Sequence, residues 1–177
     1  DLLSGVPKVL LLLDAMGVPH PTYAHLPLLV NESRQKLSKR RDDVAMGDFR
    51  ERGYLPEALV NYLALLGWGP PDDVEVRPIG EIVDLFRIED VNKAAAFFDL
   101  RKLEHVNATH LRGLSKPDFI DRAGPWLAEA PWAPDRFDEG VFDRMVDLVQ
   151  EKLRTLGDVV RFVDFLFLDD PVDDPDS

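Results

Sequence analysis

The stretch Gly53-Tyr-Leu-Pro-Glu-Ala-Leu-Val-Asn-Tyr-Leu-Ala-Leu-Leu-Gly-Trp68 carries the strongest helical signal in the sequence. Pro56 is favourable in the first turn of a helix, and a glycine such as Gly67 often follows the last turn. The apolar residues spaced three and four apart within this stretch are Leu59, Tyr62, Leu63 and Leu66. This spacing predicts a helix over Pro56–Leu66 with these four residues on one face.

The chain downstream of this stretch is predicted to be helical, after a loop at Gly69-Pro70-Pro71-Asp72. Apolar periodicity predicts helices over Gly80–Phe86, Leu100–Leu111, Lys116–Glu129, Phe137–Leu156 and Gly157–Phe167. Ser115 is a predicted N-cap, with Pro117 in the first turn that follows. The last two helices are predicted to bury Val141, Met145, Leu148, Val149, Val160, Val163 and Phe167.

The chain upstream of Gly53 is the only part with an α/β pattern. A short helix is predicted over Asp48–Arg52, and another over Val6–Met16 that is capped by Ser4 and followed by Gly17. The predicted core face of the first helix consists of Val9, Leu10, Leu12, Leu13 and Met16. Two short strands are predicted on either side of Pro27, followed by a turn: Tyr23–His25, Leu28–Val30 and Asn31–Ser33.

Composition excludes several classes of protein. The 177 residues are 45% hydrophobic, enough to bury a core, and the absence of cysteine excludes disulfides and cysteine-ligated metal sites. The lack of cysteine fits a reducing cytoplasm, and no apolar run approaches the roughly 20 residues that span a bilayer. The first residue is Asp1, which suggests a chain that was processed or cut from a longer one.

One short segment stands out for its chemistry: Lys36-Leu37-Ser38-Lys39-Arg40, which follows the predicted strand and turn. The net charge is −12, so this local concentration of cations contrasts with the rest of the chain. Lysine is a compact positive charge that can follow a moving phosphate, which suits phosphoryl or nucleotidyl transfer. The same pattern is also common on a solvated surface, and the five residues by themselves leave both interpretations open.

The flanking sequence resembles that of bacterial-type glutamyl-tRNA synthetases, which are class I aminoacyl-tRNA synthetases. Lys36–Arg40 resembles their KMSKS loop, and Tyr23-Ala-His-Leu-Pro-Leu-Leu-Val-Asn31 resembles the "FAHLPLILN" stretch before it. The stretch from Gly53 to Trp68 is similar to "GYLPEALLNYLALLGW". Phe98–Leu103 resembles the "FDxxKL" element and Leu2-Leu3-Ser4 the "DLLSSTP" lead-in, so the resemblance covers about residues 1 to 113.

The resemblance implies a mainly α fold with a helical stem-contact module, a helical bundle and a short α/β remnant of a Rossmann catalytic domain. It implies that residues 1–41 end the catalytic domain with the KMSKS-like loop, 42–114 form the stem-contact module, and 115–177 begin the anticodon-binding region. The chain is thus expected to be an internal or C-terminal piece of a ligase. No His-x-Gly-His, the second class I signature, occurs in it, so the piece is expected to be inactive alone.

The resemblance also implies the roles of the loop residues. Lys36, Ser38 and Lys39 correspond to catalytic positions, with Lys39 contacting ATP and Lys36, Leu37, Ser38 and Arg40 lining the nucleotide. The family continues with His-Gly where this chain has Arg41-Asp42-Asp43, and with Ser-Pro where it has Ala95-Ala96. ATP, with Mg²⁺ in the intact enzyme, is the expected cofactor, and no zinc or other metal site is expected in this piece.

The implied activity is that of a glutamate–tRNA ligase, which forms glutamyl-adenylate from glutamate and ATP and transfers glutamate to the 3′ end of tRNA(Glu). The expected partners are tRNA(Glu), with tRNA(Gln) left open, and the expected state is a cytoplasmic monomer acting in translation. Helices after Ser115 argue against the shorter glutamyl-Q-tRNA(Asp) and the β-barrel-bearing glutaminyl-tRNA synthetases. A helical tRNA-binding or scaffold module without catalysis is the alternative. Arg50, Arg52, Arg101 and Lys102 are candidate tRNA phosphate contacts.

Overall fold

The computed structural model describes residues 2–38, 44–132 and 135–168. These residues form eight α-helices: α1 (Val6–Met16), α2 (Met46–Glu51), α3 (Pro56–Leu65), α4 (Ile79–Leu85), α5 (Leu100–Gly113), α6 (Lys116–Ala128), α7 (Glu139–Lys152) and α8 (Val159–Val163). Two short parallel strands, β1 (Leu29–Val30) and β2 (Ala96–Phe97), complete the fold. The predicted mainly α class with a small α/β element is therefore confirmed.

The helix predicted over Pro56–Leu66 is α3, which forms the centre of the structure together with α5. Ala58, Leu59 and Tyr62 are buried at the α3 surface that contacts α5. The Tyr62 hydroxyl oxygen accepts a hydrogen bond from the backbone N–H of Asp99 at 2.7 Å, and burial raises its pKa to about 12. Leu63, predicted on the same face, is 42% exposed, so the buried surface of α3 is narrower than the apolar face of the sequence.

A buried asparagine ties three parts of the core together. Asn107 in α5 is fully buried, and its Oδ1 accepts from the Leu55 N–H, at the start of α3, at 2.8 Å. Its Nδ2 donates to the carbonyl of Arg154, just past α7, at 2.6 Å. Because both backbone groups lie where regular helical bonding is absent, this amide satisfies polar atoms that burial would otherwise leave unpaired.

The hydrophobic core continues across the predicted boundary at Ser115. Leu103 and Leu111 of α5 belong to the same buried cluster as Phe119 of α6 and Val146 of α7. The Gln150 side chain of α7 donates to the carbonyls of Leu111 and Leu114 at the end of α5. The division of the chain at residues 41 and 114 remains a prediction, and these contacts show that its last two parts pack together.

An ion pair also crosses this boundary, and its strength can be measured. Arg122 Nη1 of α6 lies 2.5 Å from Glu57 Oε1 of α3, with both side chains about one-third exposed. Solvent screening reduces such a pair to about 0.5–1 kcal/mol, so the Glu57→Gln/Arg122→Gln double-mutant cycle is expected to give a coupling free energy of that size. Urea unfolding of the four proteins measures it; additive effects would show that the two helices are not coupled through this pair.

Helix ends agree with local capping chemistry. Ser115 accepts from the Asp118 N–H, as predicted, and Asp138 accepts from the Val141 N–H to begin α7 at Glu139. The helix predicted to run to Leu156 ends at Lys152, because the carboxylate of Asp158 accepts from the N–H groups of Arg154 and Thr155. The last predicted helix is α8 flanked by two 3-10 turns, Leu156–Asp158 and Asp164–Leu166.

Three features of the N-terminal region differ from the predictions. In the described part of the chain none of the α1 residues is buried: Val9, Leu12 and Met16 are 45%, 59% and 64% exposed, so the predicted core face was wrong. The structure gives Ser4 no capping bond to α1, because Leu3–Gly5 forms a 3-10 turn ahead of the helix. Tyr23–His25 is not a strand, whereas Leu29–Val30 is one because Ala96–Phe97 supplies its partner.

The remaining predictions concern the buried residues of α7 and α8 and the parts of the chain outside the described residues. Leu148 is 63% exposed, contrary to prediction, whereas Val149 and Val163 are buried as expected. Lys39–Asp43, two residues of the Pro131–Pro134 loop and the acidic tail from residue 169 lie outside the described residues. None of the described helices is long and apolar enough to cross a membrane.

Candidate functional site

A tight hairpin presents the first half of the lysine segment. The Asn31 N–H donates to the Gln35 carbonyl at 2.8 Å, and the Leu37 N–H donates to the Leu29 carbonyl at 3.0 Å. Between these bonds Lys36 pairs with Val30 in an antiparallel bridge. The turn closes because Asn31 Oδ1 accepts from the Gln35 N–H and Arg34 adopts a φ of 55°. The predicted turn is therefore confirmed, and it returns the chain alongside β1.

The predicted site residues follow directly from this hairpin. Lys36 is exposed, while Leu37 and Ser38 are partly buried where the chain leaves β1. Lys39 and Arg40, which were predicted to contact ATP, lie outside the described residues. The structure thus brings Lys36, Leu37 and Ser38 together at one edge of the small sheet.

Both flanks of the lysine segment are anchored to the same core. On one side, β1 bonds to β2 through the Ala96 and Phe98 N–H groups, which donate to the Leu28 and Val30 carbonyls at 2.9 Å. On the other side, Phe49 of α2 is 2% exposed and its ring packs 6.1 Å from that of Phe98. The described residues before and after the segment are therefore both held close to Phe98.

Asp99, which follows β2, caps the N-terminus of α5 at the edge of a broad groove. Asp99 Oδ1 accepts from the Arg101 N–H at 2.9 Å and from the Lys102 N–H at 3.3 Å, which begins α5. A groove of about 860 Å³ extends from the hairpin turn along α5 to the end of α7. Its charged and polar lining residues are Glu32, Asp99, Arg101, Glu104, His105, Arg112, Lys152 and Arg154.

Of the four cations proposed from sequence to touch RNA phosphates, Arg101 lines this groove. Lys102 instead makes an ion pair with Glu75 at 2.5 Å, and the Arg52 guanidinium lies 5.4 Å from the Tyr54 ring centroid. Arg50 is exposed on α2. The sequence analysis did not identify Arg112, Lys152 and Arg154. Lys152 and Arg154 lie far beyond α5 in sequence, and only packing places them beside it.

The two histidines of α5 have separate environments, as their spacing predicted. His105 is exposed in the groove, whereas the His110 Nε2 lies 2.9 Å from Asn61 Oδ1. Because Asn61 Nδ2 donates to the Glu75 carbonyl at 2.7 Å, its Oδ1 is the acceptor and the His110 ring donates. In the described ranges no three His, Cys, Asp or Glu side chains form a group that could hold a metal ion.

The burial of His110 gives a stability dependence on pH. Desolvation lowers its pKa below the ordinary 6.5, so the unfolded chain binds the proton more tightly than the folded one. The free energy of unfolding is therefore expected to fall as the pH drops below about 6.5. The His110→Gln variant, which retains a donor for Asn61, should lose this component. Urea midpoints between pH 7.5 and 5.5 test it, and equal slopes for both proteins would contradict it.

Comparison with known proteins identifies the family to which the chain belongs. Residues 1–105 match the family described as "tRNA synthetases class I (E and Q), catalytic domain", and the chain therefore belongs to this family of aminoacyl-tRNA synthetases. Within it, the chain is similar to proteins named Glutamate--tRNA ligase. It is 52% identical over 177 residues to the one from Thermobifida fusca and 47% identical over 178 residues to the one from Salinispora tropica.

The extent of these matches shows how much of a ligase the chain represents. The alignments cover 99% and 97% of this chain but only 37% and 38% of the two relatives. A crystal structure of a glutamate tRNA ligase from Elizabethkingia meningosepticum, in complex with its amino acid, superposes with a TM-score of 0.81 at 29% identity. That match covers 99% of this chain and 38% of the solved one, so the chain spans just over a third of its relatives' length.

Proposed function

We propose that this chain is the part of a glutamate–tRNA ligase that carries the KMSKS-like loop and the helices after it. The observation that carries this proposal is the 52% identity to the Thermobifida fusca ligase over nearly the whole chain. In the intact protein the glutamate carboxylate attacks the α-phosphorus of ATP, giving glutamyl-adenylate and releasing pyrophosphate. A terminal hydroxyl of tRNA(Glu) then attacks the acyl carbon and releases AMP.

The loop's proposed role is electrostatic. As the bond between the α- and β-phosphates breaks, negative charge builds on the departing pyrophosphate, and a cation held beside it lowers the barrier. We assign that role to Lys39, with Lys36 and Ser38 beside it and Leu37 and Arg40 lining the nucleotide. The hairpin that fixes Lys36 against Val30 supports this assignment, because it sets the point from which the loop extends.

The three-part organisation is proposed with it. Residues 1–41 end the catalytic domain, 42–114 form the stem-contact module, and 115–177 begin the anticodon-binding region. The intact ligase would be a cytoplasmic monomer that uses Mg²⁺ with ATP and charges tRNA(Glu), and tRNA(Gln) where it is non-discriminating. The continuous core across Ser115 supports a close association of the last two parts.

The test is glutamate-dependent ATP–pyrophosphate exchange, with and without tRNA(Glu). It compares the 177-residue chain with the same sequence inside an intact ligase. Exchange by the intact protein, with none from the 177-residue chain, supports the proposal. It assigns the rest of the site to the other two-thirds of the ligase. Absence of exchange from a folded intact protein would overturn the ligase assignment and favour the non-catalytic helical module.

A further inference from the structure

We propose that Phe98 and Tyr62 are positioning residues for the activation step, because together they set where the chain enters and leaves the lysine segment. The inference rests on the proposed function, to which the activation step belongs. Phe98 directly precedes Asp99, the cap of α5, and Tyr62 lies on α3. Neither is a site residue predicted from the sequence, since only the fold brings them beside the segment.

The backbone of Phe98 holds the chain before the lysine segment. Its N–H donates to the Val30 carbonyl at 2.9 Å, which joins β2 to β1. Val30 is 7% exposed and forms the antiparallel bridge to Lys36, the first residue of the segment. A shift of Phe98 relative to β1 would therefore reach Lys36 through two adjacent backbone pairings.

The ring of Phe98 contacts the chain after the segment. Its centroid lies 6.1 Å from that of Phe49, with the two rings inclined by 42°. Phe49 is 2% exposed on α2, a helix of six residues. Because so short a helix has little stability of its own, the position of α2 depends on the burial of Phe49. One residue thus contacts the described chain on both sides of the segment.

Tyr62 in turn holds Phe98 by two contacts from α3. The Tyr62 and Phe98 rings meet edge to face at 84°, with centroids 5.3 Å apart. The Tyr62 hydroxyl oxygen accepts from the N–H of Asp99, the next residue along the chain, at 2.7 Å. Removing the hydroxyl would leave this partly buried N–H without its acceptor, so the backbone at Phe98 would be free to shift.

Such a shift matters because activation depends on where positive charge is placed. A cation stabilises the departing pyrophosphate at short range, and its effect depends on being held in place before the reaction. A displacement of about 1 Å that originates far from the reacting atoms can lower a rate about 10²-fold. The loss of one hydrogen bond is expected to cause a smaller displacement. Substrate affinity should be retained, since neither Phe98 nor Tyr62 is assigned a contact with ATP or glutamate.

Two buried tyrosines provide a matched test. Tyr62→Phe removes the hydroxyl that holds Asp99, whereas Tyr54→Phe removes a hydroxyl that has no hydrogen-bond partner among the described residues. Tyr54 is 4% exposed, and its ring also packs against Phe49, at 5.3 Å. Phe98→Leu keeps an apolar side chain but loses both ring contacts. The three variants of the intact ligase are assayed by pyrophosphate exchange, well below their thermal unfolding midpoints.

Tyr62→Phe is expected to lower kcat for pyrophosphate exchange about threefold to tenfold, with the KM for ATP and for glutamate within about twofold of the parent values. Phe98→Leu should lower kcat further, and Tyr54→Phe should match the parent. Equal kcat values for Tyr62→Phe and Tyr54→Phe in folded proteins would overturn the positioning role. A loss that appears only as a raised KM would overturn it as well.

A second measurement, on the 177-residue chain, does not depend on ligase activity. The Leu37 N–H donates to the Leu29 carbonyl beside the segment, so its hydrogen exchange reports local opening of the hairpin. Hydrogen exchange at Leu37 is expected to be about threefold to tenfold faster in Tyr62→Phe than in Tyr54→Phe. Equal rates at Leu37 would overturn the inference whether or not the ligase proposal holds. An intact parent that is folded but inactive would overturn the ligase proposal, so the two failures are distinguishable.

Discussion

The Lys39→Ala variant of an intact ligase is expected to catalyse glutamate-dependent ATP–pyrophosphate exchange about 10²- to 10³-fold more slowly than the parent protein. Removing one preorganised group that stabilises transition-state charge costs about 2.7–4 kcal/mol, which corresponds to this range. The expectation follows from the proposed role of Lys39 beside the departing pyrophosphate. Because that charge develops in the transition state, kcat should fall more than the KM for ATP rises.

The matched control lies two residues further along the same segment. Arg41→His removes a full positive charge near Lys39 and introduces the residue that the resembling sequences have there, so its exchange rate should stay near that of the parent. Lys39→Arg keeps the charge but changes its shape, and it should recover part of the lost rate. A near-normal rate for Lys39→Ala would contradict the role assigned to Lys39. An equal loss in Arg41→His would show that the segment acts only through its general positive charge.

Local sequence signals predicted the helices well where caps and breakers were present. Pro56 and Gly67 bracket α3, and the Ser115 hydroxyl caps α6 as expected. The helix α7 exists as predicted but ends four residues earlier, and its buried face is rotated. Phe142, Val146 and Val149 are buried, and of these only Val149 was predicted. The core face therefore lies about one residue, or 100°, from the predicted line through Val141, Met145 and Leu148. Both lines are apolar, and only the packing against α5 and α6 distinguishes them.

Features that depend on a distant partner could not be predicted in the same way. The apolar pattern of α1 predicts a helix but does not supply a surface to bury it, and Leu12 is exposed in this chain. β1 forms because Ala96–Phe97 lies beside it. Leu29 and its partner Ala96 are 67 residues apart in sequence. The lysine segment was correctly placed after a strand, whereas the groove required α5 and α7 to meet.

Gly53→Ala is expected to lower the free energy of unfolding by about 3–4 kcal/mol, through a strained backbone conformation and a close backbone approach. Gly53 has a φ of +81°, a conformation that costs a residue with a Cβ about 1–2 kcal/mol. A Cβ there would also lie 2.5 Å from the Gly157 nitrogen and 2.9 Å from the Leu156 nitrogen. Both contacts are with backbone, so relief requires two segments to move apart.

That movement would break a joint between distant parts of the chain. The Leu156 N–H donates to the Gly53 carbonyl at 2.9 Å, which links the turn after α2 to the 3-10 turn before α8. The partner glycine is constrained from the other side, since a Cβ on Gly157 would lie 2.9 Å from the Arg52 carbonyl oxygen. Gly157→Ala is therefore expected to be destabilising as well, by a smaller amount because no positive φ is involved.

Urea unfolding of the 177-residue chain measures these losses, with Gly124→Ala as the control. Gly124 lies within α6, and an alanine methyl there would meet no neighbouring segment within 4 Å, so this change should be neutral or stabilising by up to about 1 kcal/mol. A Gly53→Ala protein as stable as the Gly124→Ala protein would mean that the two turns are not held together. A large loss confined to Gly53→Ala and Gly157→Ala would instead show that the contact between the turn after α2 and the 3-10 turn before α8 stabilises the folded chain.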